Sequence, residues 1–384
     1  MSDRSHAGAL VTGGARTLDM LKSEVARRVE RGGPPLGGIT VDDAGAALRN
    51  IDSLDREQWA SAFSGVGEQH YERGVNLEAS DREAASRAYW QAWRLHHYAR
   101  WPTENTPARL HAKQRALDAF QRYSRLLHPA METLRVPLDD KTVVAYLRAP
   151  PTAGPAPVVL AISGLDSRKE DIAAHTDAYL KRGLAVVAVD MPGTGEAPTS
   201  PADAKPERMF TALIDYLLTR DDLDATRLVV QGRSFSGYWA AKLGYTERER
   251  LRGVVMHGGP IHHTFQPAWC AKALETGEYL YDYFEAWRSM MGAETLEEML
   301  AKVARLSLLD MGLLDEPCAP MLVVNGAQDS QITIEDVFLL LQHGDAKDAW
   351  VNPKGGHMGR SPEWPPAAIA DKVLMPWIMK RMQE

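Results

Sequence analysis

A serine hydroxyl becomes a nucleophile when a base takes its proton and a third group fixes that base in one tautomer. In QGRSFSGYWA (231–240) two serines, Ser234 and Ser236, stand one residue apart in a glycine-flanked turn. A tight strand-to-helix bend that lifts a serine clear of a sheet needs small residues two positions before and two after it, because backbone crowds there. For Ser234 those positions are Gly232 and Ser236, both small; for Ser236 they are Ser234 and Tyr238, and the tyrosine is too large. Ser234 is the candidate nucleophile. In such folds the acid follows in the chain and the histidine comes last. LVVNGAQDSQ places Asp329 just after an apolar run, and WVNPKGGHMG places His357 in a loop with glycines at 355, 356 and 359. Asp310 is the poorer alternative for the acid.

Attack on a carbonyl generates an oxyanion that needs two backbone N–H donors. The residue after the nucleophile, Phe235, supplies one, and Leu165 in SGLDSRKED (163–171) is the expected second. Asp166 falls beside it and reads in two ways, as an assisting acid or as the N-cap of the helix near 170. Other candidates carry less. VTGGAR (11–16) lacks the further glycines and the preceding strand of a dinucleotide site, and DMPGTGE (190–196) lacks the Lys-Ser/Thr of a phosphate loop. His257, His262 and His263 have no helical metal spacing, so structural roles are expected. His96 and His97 are adjacent on a helix and point apart. The residues call for no metal and no cofactor.

These groups must be carried by elements, and the pattern along the chain supplies them. DATRLVV before the serines is a β-branched apolar run that predicts a buried strand, and YWAAKLGY after them predicts a helix. Residues 1–128 show helical patterns without a convincing strand. The clearest are 79–100, capped by Ser80 or Asp81, and 106–127. ETLRVPL and KTVVAYLRA around Asp139-Asp140 predict a hairpin. From residue 157 strands and helices alternate: PVVLAIS, LAVVAVD, RLVVQG, LRGVVMHG, PMLVVNG and KDAWVNP are the strands, with a last helix from about 366. That alternation predicts an α/β fold with a mostly parallel central sheet covered on both faces. Residues 129–384 are read as one catalytic domain, interrupted at about 262–318 by a helical, aromatic-rich insertion. Insertions of this kind lie at the carboxyl ends of the strands, where ligands bind in open sheets.

Composition narrows the class. Of 384 residues, 51 are acidic and 44 basic, a net charge of −7 spread along the chain, so no basic block points to nucleic acid or an anionic membrane. Two cysteines, Cys270 and Cys318, are too few for a disulfide framework. The N-terminus has no apolar core of signal-peptide length and no apolar stretch of about 18 residues occurs, so a cytoplasmic protein is expected.

SGLDSRKED, DMPGTGE, GRSFSG, GAQD and GGH together resemble the FrsA-like esterase group of α/β-hydrolases. They also resemble the carbon–carbon hydrolase branch that contains 2,6-dihydropseudooxynicotine hydrolase and the polyketide-shortening hydrolases of pigment synthesis. The resemblance runs from about residue 80 to the end. It implies an α/β-hydrolase fold, Ser234 as nucleophile, Asp329 as acid and His357 as base. It also implies that Asp166 assists carbon–carbon cleavage, that the helical N-terminal region packs over the site entrance, and that the protein is a homodimer. Two positions depart from the group: Ser236 replaces a glycine, and Asp166 is one methylene shorter than the glutamate of the pseudooxynicotine enzyme. The expected function is a serine hydrolase acting on a small aromatic or extended apolar molecule, at an ester or at the C–C bond of a β-diketone. An amidase or peptidase, and a non-catalytic binding protein on the same scaffold, are the alternatives.

Overall fold

The computed structural model describes residues 9–12, 15–274 and 278–384, which form two compact units. Gly13 and Gly14 of the VTGGAR motif lie outside the described residues.

The first unit comprises residues up to Ala130 together with Leu274–Ser289. Its helices are α1 (Leu18–Glu30), α2 (Val41–Arg49), α3 (Arg56–Leu77), α4 (Arg82–Ala99) and α5 (Pro107–Ser124). Each starts at a short polar side chain, Thr17, Thr40, Asp55, Asp81 or Thr106, that accepts the amide three residues on. Such a cap contributes about 1 kcal/mol. Asp81, not Ser80, caps α4, accepting from Ala84 N at 2.9 Å. α3 and α4 pack closely because α3 offers glycine where α4 offers rings: a Cβ on Gly74 would come 2.6 Å from Tyr89. The adjacent histidines diverge as expected. His96 Nδ1 lies 2.8 Å from Ser64 Oγ, whereas His97 meets Arg100. Burial pushes His96 down to about 3, so it is neutral.

The insertion is not one piece. Residues 274–289, expected with the catalytic domain, lie with the helices. Fully buried Asp282 accepts from Arg56 Nε and Nη2, from Arg109 Nη2 and from Val11 N, each at 2.9 Å. A buried carboxylate is tolerated when its lone pairs are filled by opposite charge in this way.

The second unit, Met131–Ala273 and Met290–Glu384, contains one eight-stranded sheet. Its strands are β1 (Glu132–Leu138), β2 (Lys141–Arg148), β3 (Ala156–Ile162), β4 (Ala185–Val189), β5 (Leu223–Arg233), β6 (Gly253–His257), β7 (Met321–Gly326) and β8 (Asp348–Asn352). Their order is β1-β2-β4-β3-β5-β6-β7-β8. The hairpin β1–β2 pairs antiparallel, β2 joins β4 antiparallel, and every pairing from β4 to β8 is parallel. β4 is AVVAV, buried at all five positions, as a strand covered on both faces must be. Each fully buried valine contributes roughly 1.5–3 kcal/mol. The covering helices are α6 (Lys169–Ala173), α7 (Asp177–Leu180), α8 (Arg208–Leu218) and α9 (Gly237–Thr246). The insertion supplies α10 (Pro267–Leu274) and α12 (Leu296–Ala304) here, most of α11 (Tyr283–Met291) belonging to the first unit, and α13 (Glu335–Gln342), α14 (Pro366–Ile369) and α15 (Met375–Arg381) complete the set. Among the described residues no helix is long and apolar enough to cross a membrane. Parallel pairing brings the carboxyl ends of β3, β5, β6, β7 and β8 to one edge, where the sequence-predicted residues lie.

Candidate active site

β5 ends at Arg233, and a single 3₁₀ turn, Ser234–Ser236, leads directly into α9. Ser234 sits at φ 54, a left-handed conformation that costs a non-glycine residue about 1 kcal/mol or more. The turn is as crowded as a nucleophile elbow requires: a Cβ on Gly232 would stand 2.0 Å from Ser236 O, so only glycine fits there. Ser236 is tolerated because its hydroxyl is used. Its Oγ accepts from Arg233 N at 2.9 Å and donates to Ile162 O at 2.8 Å, with Arg233 O at 3.0 Å. It is fully buried and braces the turn against the end of β3.

Ser234 Oγ lies 2.7 Å from His357 Nε2, and His357 Nδ1 lies 2.8 Å from Asp329 Oδ2. The other carboxylate oxygen, Oδ1, accepts from Gln331 N at 2.8 Å and Ile332 N at 3.0 Å. Burial alone would raise the Asp329 pKa; the neighbouring imidazole and these hydrogen bonds outweigh it and hold the carboxyl below its usual range. An ionised Asp329 only accepts, so Nδ1 carries the imidazole hydrogen and Nε2 is left to accept from the serine hydroxyl. Asp310 takes no part: its exposed carboxylate is 3.9 Å from His262 Nδ1. The loops carrying Asp329 and His357 meet tightly, since a Cβ on Gly326 would come 2.1 Å from Gly355 O.

The loop after β3 runs beside the serine, where a Cβ on Gly164 would be 3.4 Å from Ser234 Cβ. Gly164 N is taken by Ser167 Oγ at 2.8 Å, which leaves Leu165 as the next amide along the loop. Leu165 and Phe235 are both buried, and the Phe235 ring packs on Tyr238 and Phe265 with centroids 6.4 and 6.0 Å away. Asp166 is partly buried in the same loop. At the start of α6, Asp171 Oδ2 accepts from Arg168 N at 2.9 Å, and Asp190 Oδ1 from Lys169 N at 2.8 Å.

One buried network escaped the sequence reading. Lys169 Nζ contacts Asp190 Oδ2 at 3.0 Å, Glu196 Oε2 at 2.6 Å and Glu170 Oε1 at 3.0 Å, and sits 5.1 Å from the Tyr146 ring centroid. Burial opposes the charged forms of both lead partners, yet their mutual attraction holds Lys169 above its ordinary pKa and Asp190 below. The turn DMPGTGE wraps this aspartate, and Gly195, at φ 57, would place a Cβ 2.2 Å from Asp190 Oδ2. The adjacency Lys169-Glu170 was visible in the sequence, but nothing local marked it as buried. Asp336, also missed, accepts from the amides of His262, His263 and Thr264 at 2.9, 2.7 and 3.1 Å and so fixes the start of the insertion. Of the three histidines near β6, His262 Nδ1 meets Ser307 Oγ at 2.7 Å and His257 Nε2 meets Met358 O at 2.9 Å, while the His262 and His263 rings lie 5.0 Å apart.

Comparison with known proteins bears on the fold and the family. The family model "Esterase FrsA-like" matches residues 56–350. Esterase FrsA of Vibrio vulnificus strain YJ016 is 27% identical over 209 residues, 54% of this chain and 50% of that protein. The 2,6-dihydropseudooxynicotine hydrolase of Paenarthrobacter nicotinovorans is 28% identical over 247 residues, 63% of this chain and 64% of that one. The chain thus spans about half the length of the FrsA esterase it matches. Among solved structures, the 2,6-dihydroxy-pseudo-oxynicotine hydrolase superposes with TM-score 0.72 at 22% identity, covering 94% of this chain and 95% of that one. AbyA5 superposes with TM-score 0.71 at 23% identity, covering 96% and 95%. These two likenesses establish the α/β-hydrolase fold, and, with the family model matching most of its length, the chain belongs to the FrsA-like esterase family.

Proposed function

We propose that this protein is a serine hydrolase that works through an acyl-enzyme. The observation that carries the reading is the hydrogen-bonded series Ser234–His357–Asp329, with contacts of 2.7 and 2.8 Å, assembled from the carboxyl ends of β5, β8 and β7. His357 Nε2 takes the Ser234 proton as Oγ bonds to the substrate carbonyl carbon. The imidazolium so formed is stabilised by the ionised Asp329. The amides of Phe235 and Leu165 donate to the tetrahedral oxyanion. Collapse breaks the bond to the leaving group, which takes the proton from His357. Water then attacks the acyl carbon, gives its proton to His357, and releases the acid and Ser234.

For an ester the leaving atom is an alkoxide oxygen. For a β-diketone it is an enolate carbon, which must be protonated at carbon. The position of Asp166 in the loop beside Ser234 favours this second reading, and so does the similarity to a protein named 2,6-dihydropseudooxynicotine hydrolase. In that reading the proton held by His357 reaches the departing carbon by way of Asp166, which takes it from the imidazolium as it passes it on and leaves His357 neutral for deacylation.

The test is hydrolysis of p-nitrophenyl acyl esters of increasing length and of an aromatic β-diketone by wild type, Ser234→Ala and Asp166→Asn. Ester turnover lost in Ser234→Ala and kept in Asp166→Asn identifies an esterase. Diketone cleavage that needs both residues identifies a carbon–carbon hydrolase. Turnover of neither class, with anilide substrates instead consumed, identifies an amidase. No turnover at all of esters, diketones and anilides refutes the hydrolase reading in favour of a binding protein.

A further inference from the structure

The segment that carries His357 is held by side chains from three neighbouring strands. Met358 sits at φ 63, a left-handed conformation for a long side chain, so the loop keeps its shape only if its surroundings over-determine it. Each of the three carbonyls from 357 to 359 is taken by a different side chain. His357 O accepts from Arg360 Nε at 2.7 Å, Met358 O from His257 Nε2 at 2.9 Å, and Gly359 O from Asn352 Nδ2 at 2.8 Å. The Met358 amide donates to Asn325 Oδ1 at 3.0 Å. Arg360 belongs to the loop itself. His257, Asn325 and Asn352 are fixed points at the ends of β6, β7 and β8.

His257 is the unusual member, a buried imidazole where an amide would serve. A carbonyl only accepts, so the hydrogen of His257 is on Nε2 and points at the carbonyl of Met358, the residue after His357. The adjoining glycine extends the same contact, since a Cβ on Gly258 would come 2.9 Å from Met358 Cγ. β5 and β6 pair Arg233 with His257, so the strand that holds the base loop is the one registered against the residue before Ser234. The serine and its base are therefore referenced to each other through β6 as well as through their own contact.

We propose that His257 is a positioning residue for His357: it never touches substrate, and its Nε2–H holds the base loop at the height where His357 Nε2 meets Ser234 Oγ. This rests on the serine-hydrolase reading above. Misplacing a reacting group by about 1 Å costs about a hundredfold in rate while leaving substrate binding largely alone. The role therefore shows in kcat rather than in KM.

The experiment uses the full chain as wild type, His257→Gln, His257→Asn and His257→Leu. Glutamine places a donor near the reach of imidazole Nε2, whereas asparagine falls short of it. Two quantities are measured: kcat and KM on a p-nitrophenyl ester, and the rate at which a fluorophosphonate labels Ser234. In that labelling Oγ bonds to phosphorus, fluoride leaves and His357 takes the proton. Labelled peptide identifies the serine. The expected result is a fall of about 10- to 100-fold in both kcat and labelling rate for leucine, with KM changed less than about twofold. Glutamine is expected to restore most of the loss and asparagine little of it. If the leucine variant does not fold, the order of glutamine above asparagine carries the test. Wild type labelled at Ser234, with the variants labelled at the same rate, overturns the positioning role alone, as does glutamine no better than asparagine. Wild type not labelled at Ser234 overturns the hydrolase reading and this role with it.

Discussion

Ser234 and Ser236 differ by one residue in the chain and are expected to give opposite results when each is replaced by alanine. Ser236→Ala keeps the Cβ that already fits and deletes only the buried hydroxyl. Arg233 N then loses its acceptor at 2.9 Å, and Ile162 O loses a donor at 2.8 Å. A buried polar group stripped of its partner costs about 1–3 kcal/mol, so the two together cost about 2–6 kcal/mol. In a unit of this size that lowers Tm by roughly 4–24 °C. Turnover should persist within about tenfold, because Ser234, His357 and Asp329 keep their contacts with one another. Ser234→Ala removes a hydroxyl whose partner in the structure is His357 Nε2, so Tm should move by less than about 2 °C. Its turnover should fall by about a million-fold, as when an acylating nucleophile is lost. Differential scanning fluorimetry and p-nitrophenyl ester hydrolysis on the same two preparations read both effects. The reasoning fails if Ser236→Ala abolishes turnover at an unchanged Tm, or if Ser234→Ala stays active.

Asp329→Asn replaces an acceptor with an amide that can present N–H to His357 Nδ1, which favours the wrong tautomer; kcat should fall by about 10³- to 10⁴-fold with the fold intact. The same variant tests a pH dependence. The folded pKa of Asp329 is depressed, so its contribution to stability is complete above the unfolded value near 3.9 and is lost as pH falls through the lower folded value. Urea unfolding of wild type between about pH 5 and pH 2 should therefore steepen in that window relative to Asp329→Asn; equal slopes would show that the carboxylate is not specially stabilised. In the helical unit, Asp282→Ala leaves Arg56 and Arg109 buried with their shared acceptor gone and should cost about 3–5 kcal/mol, whereas joint replacement of all three by apolar residues should recover much of it. Thermal melts of the single and triple variants decide; a single variant as stable as wild type would refute the accounting.

Much of the candidate site is written in short-range sequence. The choice of Ser234 over Ser236 follows from side-chain size two residues either way, because the crowding that selects glycine at 232 arises within one turn of chain. The alternation of apolar runs from residue 157 encodes a parallel sheet, and parallel pairing carries the segments that follow the strands to one edge. Asp329 and His357 are each separated from Ser234 by dozens of residues, yet their positions after β7 and β8 made their meeting readable. Helix α4 was legible for the same reason, as its apolar spacing and its Asp81 cap are local.

What the tertiary structure alone decided are the pairings between distant charges and the assignment of segments that lack a period of their own. Nothing near Asp282 announces that two arginines from α3 and α5 will enclose it, and so nothing announced that 274–289 would leave the insertion and join the helices. Lys169 reads as an ordinary polar residue until the turn after β4 brings Asp190 and Glu196 to its ammonium. The amides of Arg168 and Lys169 at the start of α6 are taken by Asp171 and Asp190, a pairing that no local pattern in SGLDSRKED announces. His257 read as one of three neighbouring histidines and became distinct through a single hydrogen bond to Met358, 101 residues away. Periodicity records which face of an element is buried, whereas the partner of a buried polar atom is fixed by register and crossing geometry, which exist only once the chain has folded.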